Sequence, residues 1–370
     1  MASPDLHIIA FAVPYPAHYG GAIDVWNRIR ALHKEGVKIS LHCFVYSSFK
    51  PHDALKEVAE TVFYYPRIKW PALLSPGQPY IVSSRRNPLL LSRLNKDKIP
   101  VLFEGIHSTG FVDDLKGRKL ILRAHNIEHQ YYADLARDSQ RFQYLFFQRE
   151  ALALERYEAN KAEKFDNIFA ISEQDHQWYR SRGVNSEFMP VFHGFENINI
   201  EPGRGKYLLY QGDLSIESNQ KAILDLVKII SPSDQYPLVV AGRSGDPAFE
   251  EKLLKYSNIR READVSDDRM SELIRDAQII IIHSRNPAGM KVKIFPAVYQ
   301  GKHIIANENS KTHTNLDKAL HIYPSVQDLG PLLKKLWHLE FKPSDIAERA
   351  AILSQLPSDQ EKAKEIIRNL

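Results

Sequence analysis

The sequence predicts an α/β protein of two doubly wound parallel sheets that face each other across a cleft. Three observations carry this. Apolar runs of four to eight residues alternate with amphipathic stretches along the whole chain, the pattern of parallel sheets covered by helices on both faces. The alternation breaks once, at 193–206, "HGFENINIEPGRGK", where Gly, Asn, Pro and charge read as a surface linker. A chain of 370 residues, 44% hydrophobic, is also long enough for two ordinary cores. The expected division is a first domain at 1–195, a second at 196–355, and a C-terminal helix at 356–370 able to pack back on the first.

In the first half, strands are expected at 6–13, 37–45, 61–65, 99–104, 119–124 and 167–171. After the first comes "YPAHYGGAIDVWNRI", 15–29, where Gly20 and Gly21 open a helix. Its Ala22, Val25, Trp26, Ile29 and Leu32 share one face at three- and four-residue steps. A glycine there lets a ligand approach the backbone, and the helix N-terminus favours an anion or a sugar hydroxyl. A tight turn without a ligand is the alternative. The pair is neither G-x-G-x-x-G nor a P-loop.

Residues 64–90 have poor periodicity and hold Trp70, Leu73, Leu74, Tyr80, Arg85 and Arg86. They read as a loop with exposed aromatic and basic residues. Such a loop suits an anionic membrane surface or a lipid-linked acceptor; packing onto the first domain is the alternative. Glu104 and His107 follow the fourth strand. "HNIEHQYY" follows the fifth, so His125, Asn126, Glu128 and His129 crowd a strand end. They read as a substrate-facing histidine and carboxylate, or as caps of the next helix. The two histidines lack the glutamate position of H-E-x-x-H and a third ligand, so no metal is expected. The stretch 141–164 reads as a packing helix with a solvated face.

In the second half, strands are expected at 206–210, 237–241, 278–283, 302–306 and 319–323, and Gly212 ends the first of them. The stretch "HSRNPAGMKVKIFPAVYQGKHIIA" opens a helix with Lys291 and Lys293 in its first turns. Lysines there oppose the helix dipole unless an anion sits beside them. Free amides, Gly289 and two lysines together suit a diphosphate. The chain's end, "SDQEKAKEIIRNL", reads as a helix capped by Ser358 with Glu361 three residues on.

Gross properties narrow the partners. A formal net charge of +4 is too mild to point to nucleic acid. The lone Cys43 excludes an internal disulfide and reads as a buried apolar residue. "MASPDLH" is unlike a signal peptide, and no run approaches the ~20 apolar residues of a spanning helix. The expectation is a cytoplasmic protein, at most peripheral at the inner face of the membrane.

Four segments carry a family likeness: the Gly20–Gly21 junction, "RAHNIEH", "YLLYQGDLSIESN" and "GMKVKIFPAVYQGKHIIAN". In their order and spacing the chain resembles retaining glycosyltransferases of the GT-B fold, with two Rossmann-like domains, and is most similar to family 4. The resemblance implies that Lys291 and Lys293, with the amides near Gly289 and Met290, hold the donor diphosphate, and that Gly212 lies in the nucleotide-binding loop. Backbone around Ala263–Val265 would meet the base. His125 would contact the sugar, with Glu128 as a second catalytic candidate. Gly20, Gly21, Asn126 and Ser172 would line the substrate site.

The implied reaction moves a hexose, without metal or cofactor, from a nucleotide-diphosphate sugar to a glycan or lipid-linked acceptor, as in polysaccharide biosynthesis. Two departures stand out. Pro296 occupies the place of the family's ribose-binding glutamate, and the loop after Gly212 has Asp213 where many relatives carry a basic residue. A non-catalytic nucleotide-sugar-binding relative and a sugar-nucleotide epimerase of the same fold are the alternatives.

Overall fold

The computed structural model describes residues 5–46, 49–68, 77–137, 139, 141–230, 236–285 and 291–370. The chain divides into two compact units. One holds the described residues of Met1–Gly194 together with Pro357–Leu370; the other holds those of Phe195–Pro287 and Lys291–Leu356.

The first unit is built on seven strands: β1 (Leu6–Ala10), β2 (Ile39–Val45), β3 (Thr61–Pro66), β4 (Val101–Glu104), β5 (Leu120–Ala124), β6 (Asn167–Ala170) and β7 (Ser186–Phe188). All pair in parallel, in the order β3-β2-β1-β4-β5-β6-β7. The second unit has six: β8 (Tyr207–Gln211), β9 (Leu238–Gly242), β10 (Ile259–Ala263), β11 (Ala277–Ile282), β12 (His303–Asn307) and β13 (His321–Tyr323). These too are parallel, ordered β10-β9-β8-β11-β12-β13. Each sheet therefore reverses its strand order once, beside β1/β4 and beside β8/β11. In open α/β sheets that crevice, at the carboxyl ends of the strands, is where ligands bind.

The central strands are covered on both faces. All of "LHIIA", "LILRA" and "AQIIII" is buried, which is why they read as near-continuous apolar runs. Burying each isoleucine of β11 is worth roughly 1.5–3 kcal/mol. All eleven expected strands are present. Two more, β7 and β10, lie at sheet edges. β7 has three residues, and β10 is "IRREA", so neither presents the apolar run that marks a buried strand.

The segment after β3 corrects the expectation of an exposed loop. Tyr80–Ser83 and Pro88–Leu94 are helical, Asn87 caps the latter by accepting from Leu89 N at 3.0 Å, and Arg85 is buried. Trp70, Leu73 and Leu74 lie outside the described residues. The chain ends in the helix Asp359–Arg368, with both hydrogen bonds of the Ser358/Glu361 capping box formed. This helix belongs to the first unit: Lys362 Nζ donates to Val191 O at 2.6 Å, and Gln360 to Glu35 at 2.6 Å. Among the described residues no helix is long and apolar enough to cross a membrane.

Candidate functional site

In the first unit, Gly20 opens the helix Gly20–Lys34, which follows β1. Its N-cap, Tyr19, makes no side-chain capping bond, and its first turn holds no acidic residue. A Cβ on Gly21 would lie 3.1 Å from the Phe11 and Tyr19 rings, so a side chain there would push both aside.

Behind this junction lies a buried charge network that joins four elements. Arg28 donates to Asp24 Oδ2 at 2.7 Å and to Glu104 Oε1 at 2.9 Å, with a second bond to Glu104 Oε2. Arg123 donates to both oxygens of Asp24, at 3.1 and 3.0 Å, and to the carbonyls of Met189 and Pro190. Asp24 also accepts from Phe192 N at 2.8 Å. His125 Nε2 lies 3.0 Å from Glu104 Oε2, and its Nδ1 is 3.9 Å from Asp24 Oδ2. Asp24, Arg28, Glu104 and Arg123 are fully enclosed, and His125 is buried. Burial disfavours the charge of Asp24, but Arg123 and then Arg28 outweigh it and hold the carboxyl well below its usual range. Glu104 is likewise held down, against burial, by Arg28 and His125.

Ligand atoms of Asp24, Glu104 and His125 lie within 4.8 Å of one another, a spacing that suits a metal ion. Their chemistry does not: these carboxylates already accept from two fixed guanidiniums, which would repel a divalent cation.

A second cluster follows β5. Glu128 is buried, its Oε1 accepts from Asn126 Nδ2 at 3.2 Å, and its Oε2 lies 3.9 Å from His107 Nε2. Burial, and then the neighbouring Glu158, push its carboxyl up to about 8, so Glu128 carries a proton at neutral pH. Glu158 itself caps the helix Glu128–Arg137, accepting from Glu128 N at 2.8 Å, His129 N at 3.0 Å and His129 Nδ1 at 2.6 Å. Ser172, after β6, accepts from Asp175 N at 3.1 Å and caps the helix Glu173–Arg180. His125 and Glu128 are thus near in sequence but belong to different networks. The Phe11 ring packs 5.4 Å from His125 and 5.1 Å from His107, joining the glycine junction to both.

In the second unit, Gly212 follows β8 and His283 follows β11, on either side of the switch point. Lys293 precedes the helix Ile294–Gln300; its Nζ stands 4.9 Å above the Tyr210 ring, and its carbonyl accepts from Gln211 Nε2 at 3.2 Å. Burial lowers Lys291 to about 8, and burial with the charge of Lys291 does the same to Lys293. Among the described residues no carboxylate pairs with the Lys293 ammonium. Gly289 and Met290 lie outside the described residues. Pro296 is the third residue of the Lys293 helix.

Ala263 ends β10, and Val265 follows Asp264, whose φ is +49° and whose carboxylate holds Ser244 N and Oγ at 3.1 and 2.6 Å. Gly242 went unread in the sequence. Its φ is +127°, and a Cβ there would fall 2.2 Å from Gly212 O, so the turns after β8 and β9 touch through backbone alone. Asp24, Arg28 and Arg123 also went unread. A signal existed: an Asp and an Arg four apart on an otherwise apolar helix face, and an Arg inside "LILRA".

No protein-family model matches the chain. It is similar to an uncharacterized 44.6 kDa protein in the cps region of Klebsiella pneumoniae, 23% identical over 337 residues, or 85% of this chain and 86% of that one. Among solved structures it resembles the lipopolysaccharide outer core galactosyltransferase WaaB in its apo form, with TM-score 0.62 and 15% identity over 98% of each chain. It also resembles TarM, with TM-score 0.67 and 9% identity over 99% of each chain, and Anabaena HepE in complex with UDP and glucose, with TM-score 0.65 and 13% identity over 98% of each. These neighbours are GT-B glycosyltransferases. The chain has their fold: two Rossmann-like units of parallel strands.

Proposed function

We propose that this protein is a glycosyltransferase that moves a hexose from a nucleotide-diphosphate sugar to a glycan or lipid-linked acceptor, with retention and without a metal ion, in the manner of family 4. One observation carries the reading. The second unit holds the ammonium of Lys293 at the switch point of its sheet, over the Tyr210 ring, with no carboxylate paired to it among the described residues. Cations held there suit the charge that builds on a departing nucleoside diphosphate. HepE is recorded with UDP and glucose, and the same donor chemistry suits these lysines.

In this reading Gly212, with Ala263, Val265, Gly289 and Met290, serves the nucleotide. His125, Glu128, Asn126, Ser172 and the Gly20–Gly21 junction serve the sugar and acceptor. Glu128, protonated at neutral pH, can donate a hydrogen bond to a substrate oxygen. The leaving phosphate helps deprotonate the acceptor on the same face. A lipid-linked acceptor and weak membrane contact draw support from Phe142, Leu145 and Leu152, exposed along one face of the helix Arg141–Lys161 with Arg149 and Arg156.

Pro296 favours one second reading, a nucleotide-sugar-binding relative that does not catalyse, because it puts no carboxylate where ribose hydroxyls would be held. Incubation with radiolabelled UDP- and GDP-sugars, with and without extracted acceptors and with EDTA, decides between them. Transfer that persists in EDTA is expected. Loss of transfer in EDTA, restored by manganese, refutes metal independence, and binding without turnover leaves the second reading.

A further inference from the structure

Arg85 is a buried cation that no anion answers among the described residues. It is 4% exposed. Its Nε donates to Phe11 O at 2.8 Å, its Nη1 to Ile81 O at 2.6 Å and its Nη2 to Tyr46 Oη at 3.3 Å. All three acceptors are neutral. A guanidinium carries five N–H donors, so two remain without a partner among the described residues. Enclosing a charge is costly unless an opposite charge meets it; the buried Arg28 and Arg123 of this unit obey that rule through Asp24 and Glu104, and Arg85 does not.

A second arginine stands in the same corner. Arg67 donates to Ser84 Oγ at 2.8 Å, and the guanidiniums of Arg67 and Arg85 lie 5.0 and 5.5 Å from the centre of the Tyr46 ring. Burial, and then repulsion from Arg67, lower Arg85 to about 10. The nearby carboxyls are spoken for: Glu150 spends its two oxygens on Tyr80 N and Ile81 N, and Glu128 is protonated. His107 adds an independent sign. Its Nδ1 is buried with no hydrogen-bond partner among the described residues, and its ring packs on Phe11, whose carbonyl Arg85 holds. These groups gather where β1 and β2 end, beside Tyr19 and Tyr46, which keep part of their surface exposed.

We propose that this corner of the first unit is an anion-binding subsite for the acceptor: the acceptor carries a carboxylate or a phosphate, which the Arg85 fork grips with Arg67 beside it. A planar guanidinium matches both groups with paired hydrogen bonds, and a neutral sugar would leave the charge unmet. The acceptor role rests on the glycosyltransferase reading; the anion site itself does not.

The test is calorimetric titration of the full chain with methyl β-D-glucuronide and with inorganic phosphate, using methyl β-D-glucoside as the neutral control and UDP and GDP as separate ligands. Both anion arms are repeated on the Lys291→Ala/Lys293→Ala chain, which removes the nucleotide cations. Binding of one or both anions is expected, unchanged by the lysine substitutions. It weakens at least tenfold in Arg67→Gln, whose side chain is only partly buried, and in Arg85→Lys, which keeps the charge and loses the fork. UDP affinity in both arginine variants should stay within twofold of wild type. The arm that binds tells a carboxylate-bearing sugar from a phosphate-bearing one. Failure of both anions to bind, equal binding by the arginine variants, or equal binding of the neutral glucoside overturns the proposal. Failure of both UDP and GDP to bind, with an anion still bound, overturns the glycosyltransferase reading and leaves the anion site standing.

Discussion

The two sheets reverse strand order at equivalent places and fill those places in opposite ways. Beside β1 and β4 the first unit encloses Asp24, Arg28, Glu104, Arg123 and His125 in a network whose two acids and two arginines cancel. Beside β8 and β11 the second unit holds Lys293 over an aromatic ring, with Lys291 as a charged neighbour. The first arrangement is complete without a ligand and serves rigidity: it ties the helix Gly20–Lys34, two strands and the chain at 189–192 together. The second is electrostatically incomplete and gains most from an anion. The same topology thus holds a balanced charge network at one switch point and an uncompensated lysine at the other, the place the proposed function gives to the donor.

Breaking the first arrangement should have the largest effect. Asp24→Ala strips Arg28 and Arg123 of their shared partner, and urea denaturation should show a loss of about 3–5 kcal/mol. A loss below about 1 kcal/mol would mean the network is not the scaffold described. Lys293→Ala, its counterpart in the second unit, should leave stability at pH 7 unchanged or slightly higher. The sign follows from linkage. A lysine lowered from 10.5 to about 8 binds fewer protons folded than unfolded across that interval. Its burial therefore costs stability below pH 8, and the cost fades as pH rises through 10.5.

Binding should show the reverse order. The Lys291→Ala/Lys293→Ala chain should bind UDP at least 30-fold more weakly, since charged hydrogen bonds are worth roughly 1.5–3 kcal/mol each, while Asp24→Asn should bind UDP as wild type if it folds. Calorimetric affinities equal to wild type in the lysine variant would move the diphosphate elsewhere. His125→Ala sharpens the comparison from the other side: turnover should fall roughly 10–100-fold, as for a misplaced catalytic group, with UDP affinity unchanged. Equal loss in both would return His125 to a purely structural part of the Asp24 network. The smallest expected effect is of pH. With both lysines near 8, UDP affinity should drop by roughly tenfold between pH 7 and 9, and a flat profile would mean that other cations hold the phosphates.

Much of this was legible in the sequence. The strands read correctly wherever both faces are buried, because continuous burial writes itself as continuous apolar residues in "LHIIAFAV" or "IIII". Gly20–Gly21, the polar cluster after β5 and the lysines after β11 were visible for a related reason: polar or glycine residues at the end of an apolar run are a local signal. The tertiary structure alone decided which charges meet. Arg28 and Glu104 are 76 residues apart, and Arg123 and Asp24 are 99 apart; no periodicity links them, because pairing depends on strand order and register. The same holds for Arg85, which composition placed on an exposed loop and the fold encloses between Phe11, Ile81 and Tyr46. Burial of a hydrophobic residue is a property of its own segment's pattern, whereas burial of a charge is settled by what the rest of the chain brings to it.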